Sequence, residues 1–207
     1  MNDTVFTLLG ASNHYGERQE DDFYATLPIA VNKLLDKFVE LEIPYPDAVV
    51  EPSVGNGNII RAILENPNWK NIPNKCFDIV DRGYPGTIIK DFMSVERNEF
   101  HQGKNYIFAN FPYKYITEHT IHSLNLMNEG EYLFSLAKIQ FLEGKKRYEE
   151  VFKENPPKYV MVFVERINCY KNNINTGGVS ALCYCWFAFE KGFKGNPEVL
   201  WITGSNK

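Results

Sequence analysis

The sequence predicts an α/β fold: a mostly parallel sheet of seven strands with helices on both faces and an antiparallel strand at one edge. Three observations lead there. Short apolar runs alternate with stretches of helical periodicity, the pattern of parallel strands joined by crossover helices. Three of those runs end on Asp81, Asp91 and Asn110, polar residues placed where the carboxyl ends of parallel strands gather a ligand. The first run leads into Gly55 and Gly57 just before a helical segment, a place where glycine lets the backbone approach a ligand and leaves helix N–H groups available.

Residues 1–20 are polar, lack periodicity and read as an N-terminal arm; 21–207 read as one domain. Pro28 opens a helix carrying Ile29, Val31, Leu34, Leu35, Phe38 and Leu41, with Thr26 near its cap. Ile43-Pro44-Tyr45-Pro46 ends it. Asp47–Val50 is the first strand, and Asn58–Glu65 the helix after the glycine loop. Cys76–Val80, Thr87–Ile89 and Asn105–Ala109 are the next strands. Ile116–Met127 is helical, Tyr132–Ala137 is a strand, and Ile139–Phe152 is a charged helix. Tyr159–Val164 and Leu182–Phe189 are the last two strands. No helical pattern separates them, which predicts an antiparallel pair. Between them, the polar segment Asn168–Gly178 reads either as a plain hairpin connection or as a loop that touches substrate.

Hydrophobic content of 44% and charged content of 23% are those of a globular domain. No apolar run has the length of a membrane span, and Met1–Gly10 lacks the basic region of a signal peptide. The four cysteines, Cys76, Cys169, Cys183 and Cys185, form no Cys-x-x-Cys pair. That speaks against zinc or a redox motif and for a reduced cytoplasm. A net charge of −4 excludes coating of nucleic acid by bulk charge. It leaves room for a local basic rim from Lys114, Lys138, Lys145, Lys146, Arg147, Arg166 and Lys171, each of which also suits an ordinary solvated surface.

The residues with chemistry fall into two groups. Glu51-Pro52-Ser53-Val54-Gly55-Asn56-Gly57 has Ile60 where a pyrophosphate-binding loop has its third glycine. Its acidic start suits a cation such as S-adenosylmethionine, which carries a sulfonium and an ammonium. A tight turn needing small residues is the other reading. Asp81 is placed to accept ribose hydroxyls; Asp91 and Phe92 could accept from an adenine amine and pack against its ring. The second group is Asn110-Phe111-Pro112-Tyr113. An exocyclic amine conjugated to a base is a poor nucleophile. Two acceptors on its hydrogens, the Asn110 side-chain oxygen and the Phe111 carbonyl, would free its lone pair. Pro112 biases Phe111 to an extended conformation, and Tyr113 can stack on the base. An ordinary strand-to-helix turn is the competing reading.

At these motifs the chain resembles the S-adenosylmethionine-dependent amino-methyltransferases, above all the small DNA N6-adenine methyltransferases of bacteriophages and prophages. The resemblance runs from about Asp22 to Thr203. Asp22-Phe23-Tyr24-Ala25-Thr26-Leu27-Pro28 is similar to the family's donor motif D-x-Y-x-T-P, with Leu27 inserted; this assigns Tyr24 and Thr26 to donor binding. Glu51, Pro52, Ser53, Gly55 and Gly57 match motif I. Asp81 matches the ribose acid, and Asp91-Phe92 the adenine contact. Asn110–Tyr113 matches the catalytic [DNS]-P-P-[YFW], with Phe111 in place of the first proline. The resemblance implies a Rossmann-like methyltransferase fold, S-adenosylmethionine as methyl donor without a metal, and transfer to the exocyclic amine of adenine in DNA. It also implies a bacterial cytoplasm and no membrane. RNA adenine, DNA cytosine-amine and protein glutamine methylation use similar chemistry. A degenerate donor-binding module is the alternative from another class; Phe111 and the net charge favour it, and intact Asn110, Pro112 and Tyr113 oppose it. The motif order leaves little room for a recognition domain, so target contact is expected in a short loop at 166–180.

Overall fold

The computed structural model describes residues 24–165, 167, 170, 171 and 183–203. The expected arm at 1–20, Asp22-Phe23 and most of the loop at 166–180 lie outside them.

The chain begins with β1 (Tyr24–Ala25) and α1 (Pro28–Glu40). Pro28 stands in the first helical turn, where its fixed φ suits the helix and its missing N–H costs nothing. Ala30, Val31, Leu34, Leu35 and Phe38 form the buried stripe at the spacing of one helix face. The N-cap is Leu27, without a side-chain cap. Thr26, expected near that cap, is used elsewhere. Next come β2 (Ala48–Glu51), α2 (Asn58–Glu65), β3 (Asn74–Asp78), β4 (Ile88–Ile89) and β5 (Asn105–Ala109). They are followed by α3 (Ile116–Leu126), β6 (Tyr132–Lys138), β7 (Tyr159–Phe163), β8 (Tyr170–Lys171), β9 (Tyr184–Glu190) and β10 (Glu198–Ile202).

Eight strands form one sheet in the order β10-β7-β9-β6-β5-β2-β3-β4. The expected count of seven is corrected by β10, which lies outside β7 and parallel to it. Its apolar run, Val199-Leu200-Trp201-Ile202, is short and half exposed, with Val199 and Trp201 facing solvent. The expected antiparallel pair is present as β7 and β9; it lies inside the edge strand β10 and not at the edge itself, and β9 also runs against β6. The remaining neighbours in the sheet are parallel. A separate antiparallel ribbon joins Tyr24 to Lys171 and Ala25 to Tyr170.

Alternation along the strands divides the core into two layers. Val49, Phe108, Phe134 and Trp186 pack on one face with α1 and α2. Val50, Ile107, Leu133 and Phe187 pack on the other with α3 and Val151. Central strands buried on both faces read as continuous apolar runs, as β5 and β6 do. The Trp186 indole N–H donates to the Ala30 carbonyl at 2.9 Å, tying β9 to α1.

The single helix expected over Ile139–Phe152 is corrected to three pieces. A 3-10 turn covers Ile139–Leu142, one α turn covers Lys145–Arg147, and a π turn covers Tyr148–Phe152. Gly144, at φ 118°, makes the break, a conformation only glycine adopts at little cost.

Candidate active site

From β2 the chain moves outward to β3 and β4, then returns to β5 on the opposite side of β2. Such a reversal leaves a crevice at the carboxyl ends of the central strands. A cavity of about 570 Å³ opens there, a size that suits a cofactor-sized ligand.

One wall is the glycine loop. Glu51 ends β2 and turns its carboxylate beneath α2, where the Ile60 N–H donates to Oε2 at 3.0 Å. It thus satisfies a helix N-terminal donor from the preceding strand. Glu51 is 2% exposed. Burial holds its carboxyl well above the usual carboxylate range; the Ile60 bond opposes this, and the Asp78 charge adds to it. The Gly55 N–H donates to Asp78 Oδ2 at 2.8 Å, and the Val80 N–H to Oδ1 at 3.1 Å. Gly57, at φ 83°, is the N-cap of α2. A Cβ there would run into the Tyr84 ring, so Gly57 shapes the loop without lining the cavity.

The opposite wall is Asn110–Tyr113, leaving β5. The Asn110 Nδ2 donates to Thr26 Oγ1 at 3.2 Å. That makes Oδ1 the accepting end of the amide. Asn58 Nδ2 donates to the Thr26 carbonyl at 3.0 Å, so Thr26 bridges the start of α2 and Asn110. The Phe111 ring is 1% exposed, with ring centres 6.1 Å from Phe92 and 5.3 Å from His119. The Tyr115 N–H donates to the Pro112 carbonyl at 2.9 Å, turning the chain into α3. Tyr113 donates its hydroxyl hydrogen to the Tyr184 hydroxyl at 2.8 Å, and the Lys138 ammonium sits 4.8 Å from its ring centre.

The far end of the cavity is apolar, walled by Ile79, Phe92, Met93, Phe111, Tyr115 and His119. Asp91 stands beside it and accepts the Met93 N–H on Oδ1 at 2.9 Å.

The cavity therefore collects Thr26, Glu51, Pro52, Ser53, Gly55, Asp91, Phe92, Asn110, Phe111 and Pro112 of the residues expected from the sequence. Gly57 and Tyr113 adjoin it through the loops they belong to. The backbone of Tyr24 lies in β1. Asp81 lies apart from the lining; it is exposed and accepts the Gly83 N–H at 2.8 Å. Asp78 ends β3 and lines the cavity in its stead. The apolar residues after Asp78 disguise the strand end, because the true end is made by hydrogen bonds to its carboxylate. Arg82 and His119 also line the cavity and carry no sequence signal. Of the basic rim, Lys114 and Lys138 lie over the rings of Tyr115 and Tyr113. Lys146 pairs with Glu118 and Glu150, and Arg147 donates to the Gln140 and Phe141 carbonyls. Arg166 lies outside the described residues. Among those residues no group of three or more His, Cys, Asp or Glu is placed to hold a metal ion. No helix among them is long and apolar enough to cross a membrane.

No protein-family model matches the sequence, and no curated protein sequence matches it. Solved structures do share its fold. A candidate class I S-adenosylmethionine-dependent methyltransferase from Listeria monocytogenes superposes with a TM-score of 0.58 at 11% identity, over 97% of this chain and 71% of its own. A candidate RNA methyltransferase from Pyrococcus horikoshii gives 0.57 at 12% identity, over 92% and 99%. The methyltransferase subunit of a type I restriction-modification system from Streptococcus thermophilus gives 0.59 at 9% identity, over 89% of this chain and 48% of that one. At these identities the likeness defines the architecture: a methyltransferase-like α/β fold with a mostly parallel sheet.

Proposed function

We propose that this chain transfers a methyl group from S-adenosylmethionine to the exocyclic amine of adenine in DNA. The observation that carries the reading is that Asn110, Phe111 and Pro112 line one cavity together with the Glu51–Asn56 loop. In this reading Asp78 accepts from the ribose hydroxyls through its remaining lone pairs. The apolar end takes the donor's adenine, and Glu51 anchors α2 behind the glycine loop. Asn110 Oδ1 and the Phe111 carbonyl accept the two hydrogens of the target amine. The nitrogen lone pair attacks the methyl carbon as the carbon–sulfur bond breaks. S-adenosylhomocysteine leaves, and the surplus amine proton passes to water. The hydrogen bond from Asn110 to Thr26 supports an amide held in that orientation.

A nucleic-acid target accords with the restriction-modification and RNA methyltransferase neighbours. A reactive base must leave the helix stack to reach such a site, and Tyr113 offers it an aromatic surface. The test is incubation with labelled donor and unmodified DNA or RNA, then digestion to nucleosides and mass analysis. The reading predicts N6-methyladenosine in its deoxy form from DNA. Methyl label found only on RNA or protein refutes the DNA assignment. Donor binding with no transfer to any of them favours the degenerate module, the reading that Phe111 in place of a proline keeps alive.

A further inference from the structure

The apolar end of the cavity carries one polar group that methyl transfer does not use. The His119 Nδ1 lies 2.8 Å from the carbonyl of Tyr115, the N-cap of α3. A carbonyl can only accept, so Nδ1 carries the ring hydrogen and Nε2 carries a lone pair. Among the described residues no protein group bonds to Nε2. The imidazole stacks on Phe92, with 5.9 Å between ring centres and 11° between planes, and lies tilted against Phe111. Its orientation is therefore set by packing, on the wall of the cavity.

We propose that His119 Nε2 accepts a hydrogen from the exocyclic amine of the donor's adenine, so that the site selects a 6-amino over a 6-oxo purine. This rests on the reading of the cavity as an S-adenosylmethionine site. Ile79 and Met93, both exposed on the cavity lining, give a purine apolar contact. Asp91 has committed Oδ1 to Met93, and its other oxygen is a second acceptor at the same end. Two acceptors match the two hydrogens of an amine. A 6-oxo group would turn its own oxygen toward both of them and leave them unpaired, the arrangement that rejects an analogue most strongly.

The device works only while the imidazole is neutral. Burial pushes its pKa below the ordinary value; the Tyr115 carbonyl, Asp91 and Glu118 oppose this, and His122 adds to it. The other charged groups nearby are Lys146, which pairs with Glu118, and Asp78 and Arg82 along the cavity. Protonation turns the acceptor into a donor facing the amine. Donor affinity therefore falls as pH drops through the free protein's His119 pKa.

The experiment is calorimetry of S-adenosylhomocysteine and S-inosylhomocysteine with wild type, His119→Phe and His119→Gln. Wild type is expected to prefer the amine by roughly 10-fold or more. His119→Phe keeps the stacking on Phe92 and loses most of that preference; His119→Gln, with an amide oxygen, recovers part of it. As pH falls below the ordinary histidine range, wild-type affinity for S-adenosylhomocysteine falls and that of His119→Phe holds. A full preference retained in His119→Phe, or equal wild-type affinity for both compounds, overturns the role of His119 and leaves the donor site standing. If neither compound binds wild type, the donor reading fails and this inference with it.

Discussion

The loops after β2 and β5 leave adjacent strands and open on one cavity, yet they are held in opposite ways. The glycine loop is fixed by its own neighbourhood. Glu51 holds Ile60, Asp78 holds Gly55, and Tyr84 lies over Gly57, all within one β–α–β stretch. The Asn110 loop is fixed from far along the chain. Its amide reaches Thr26, its tyrosine reaches Tyr184, and its phenylalanine is packed against Phe92 and His119. The glycine loop can thus form largely from one contiguous segment. The Asn110 loop needs three distant segments to dock before Asn110 and Tyr113 are in place.

The largest effect expected from this contrast is at Phe111. Phe111→Ala empties a buried ring site and should lower unfolding free energy by about 3–5 kcal/mol, read by urea denaturation. Phe111→Pro loses the same ring but keeps the carbonyl, so its folded fraction should retain turnover; a folded, donor-binding, inactive protein would count against the carbonyl. Next is Asn110→Ala. Single-turnover methylation should fall by roughly 100- to 1000-fold while donor affinity stays, since the glycine loop does not depend on Asn110. Comparable loss of donor binding would show that the two loops are not separable.

On the donor side, Asp78→Ala should weaken S-adenosylhomocysteine binding by about 1–3 kcal/mol, and Asp81→Ala should leave it unchanged. The reverse pattern in calorimetry would restore Asp81 to the site. Thr26→Val removes the contact that bridges the loops, with an expected loss of about 0.5–1.5 kcal/mol in transition-state stabilisation, seen as slower single turnover. No change in rate would mean Asn110 is oriented without it.

The smallest effect is a slope. The folded protein holds the Glu51 carboxyl above its unfolded value, so its contribution to stability is present below the ordinary glutamate range and lost as pH rises through the raised value. Glu51→Gln keeps an acceptor for Ile60 and removes the ionisation. Denaturation at stepped pH should show wild type losing stability across that window relative to the variant. Parallel curves would mean that Glu51 is not the group responsible.

Much of the architecture could be read from the sequence because it is written in local periodicity. The α1 stripe from Val31 to Phe38, the runs of β5 and β6, and the glycine turn each follow from neighbours a few residues apart. The failures have a common physical origin. β10 carries a four-residue apolar run, Val199 to Ile202, but is half exposed and lacks the two-sided burial of the central strands. Gly144 divides a helix that composition alone would continue. Asp78 sits inside an apolar run whose end is made by its carboxylate, so the reading overshot to Asp81. The bond from Asn110 to Thr26 and the stacking of His119 on Phe92 leave no local trace, because their partners come together only when the sheet does.

The position of β9 bears on how the protein is made. It lies between β6 and β7 but follows both in the chain. A nascent polypeptide that has left the ribosome only as far as β7 has nothing to put in that gap. Leu133, Phe134 and Leu136 of β6 then border an open edge, and Val160 and Met161 lie in β7, whose two partners β9 and β10 both follow it, the kind of surface that recruits other chains. Only when Trp186 arrives does the sheet close and its indole reach back to Ala30. Translation order and assembly order thus differ, and the interval between them is when these edges stand open to other chains.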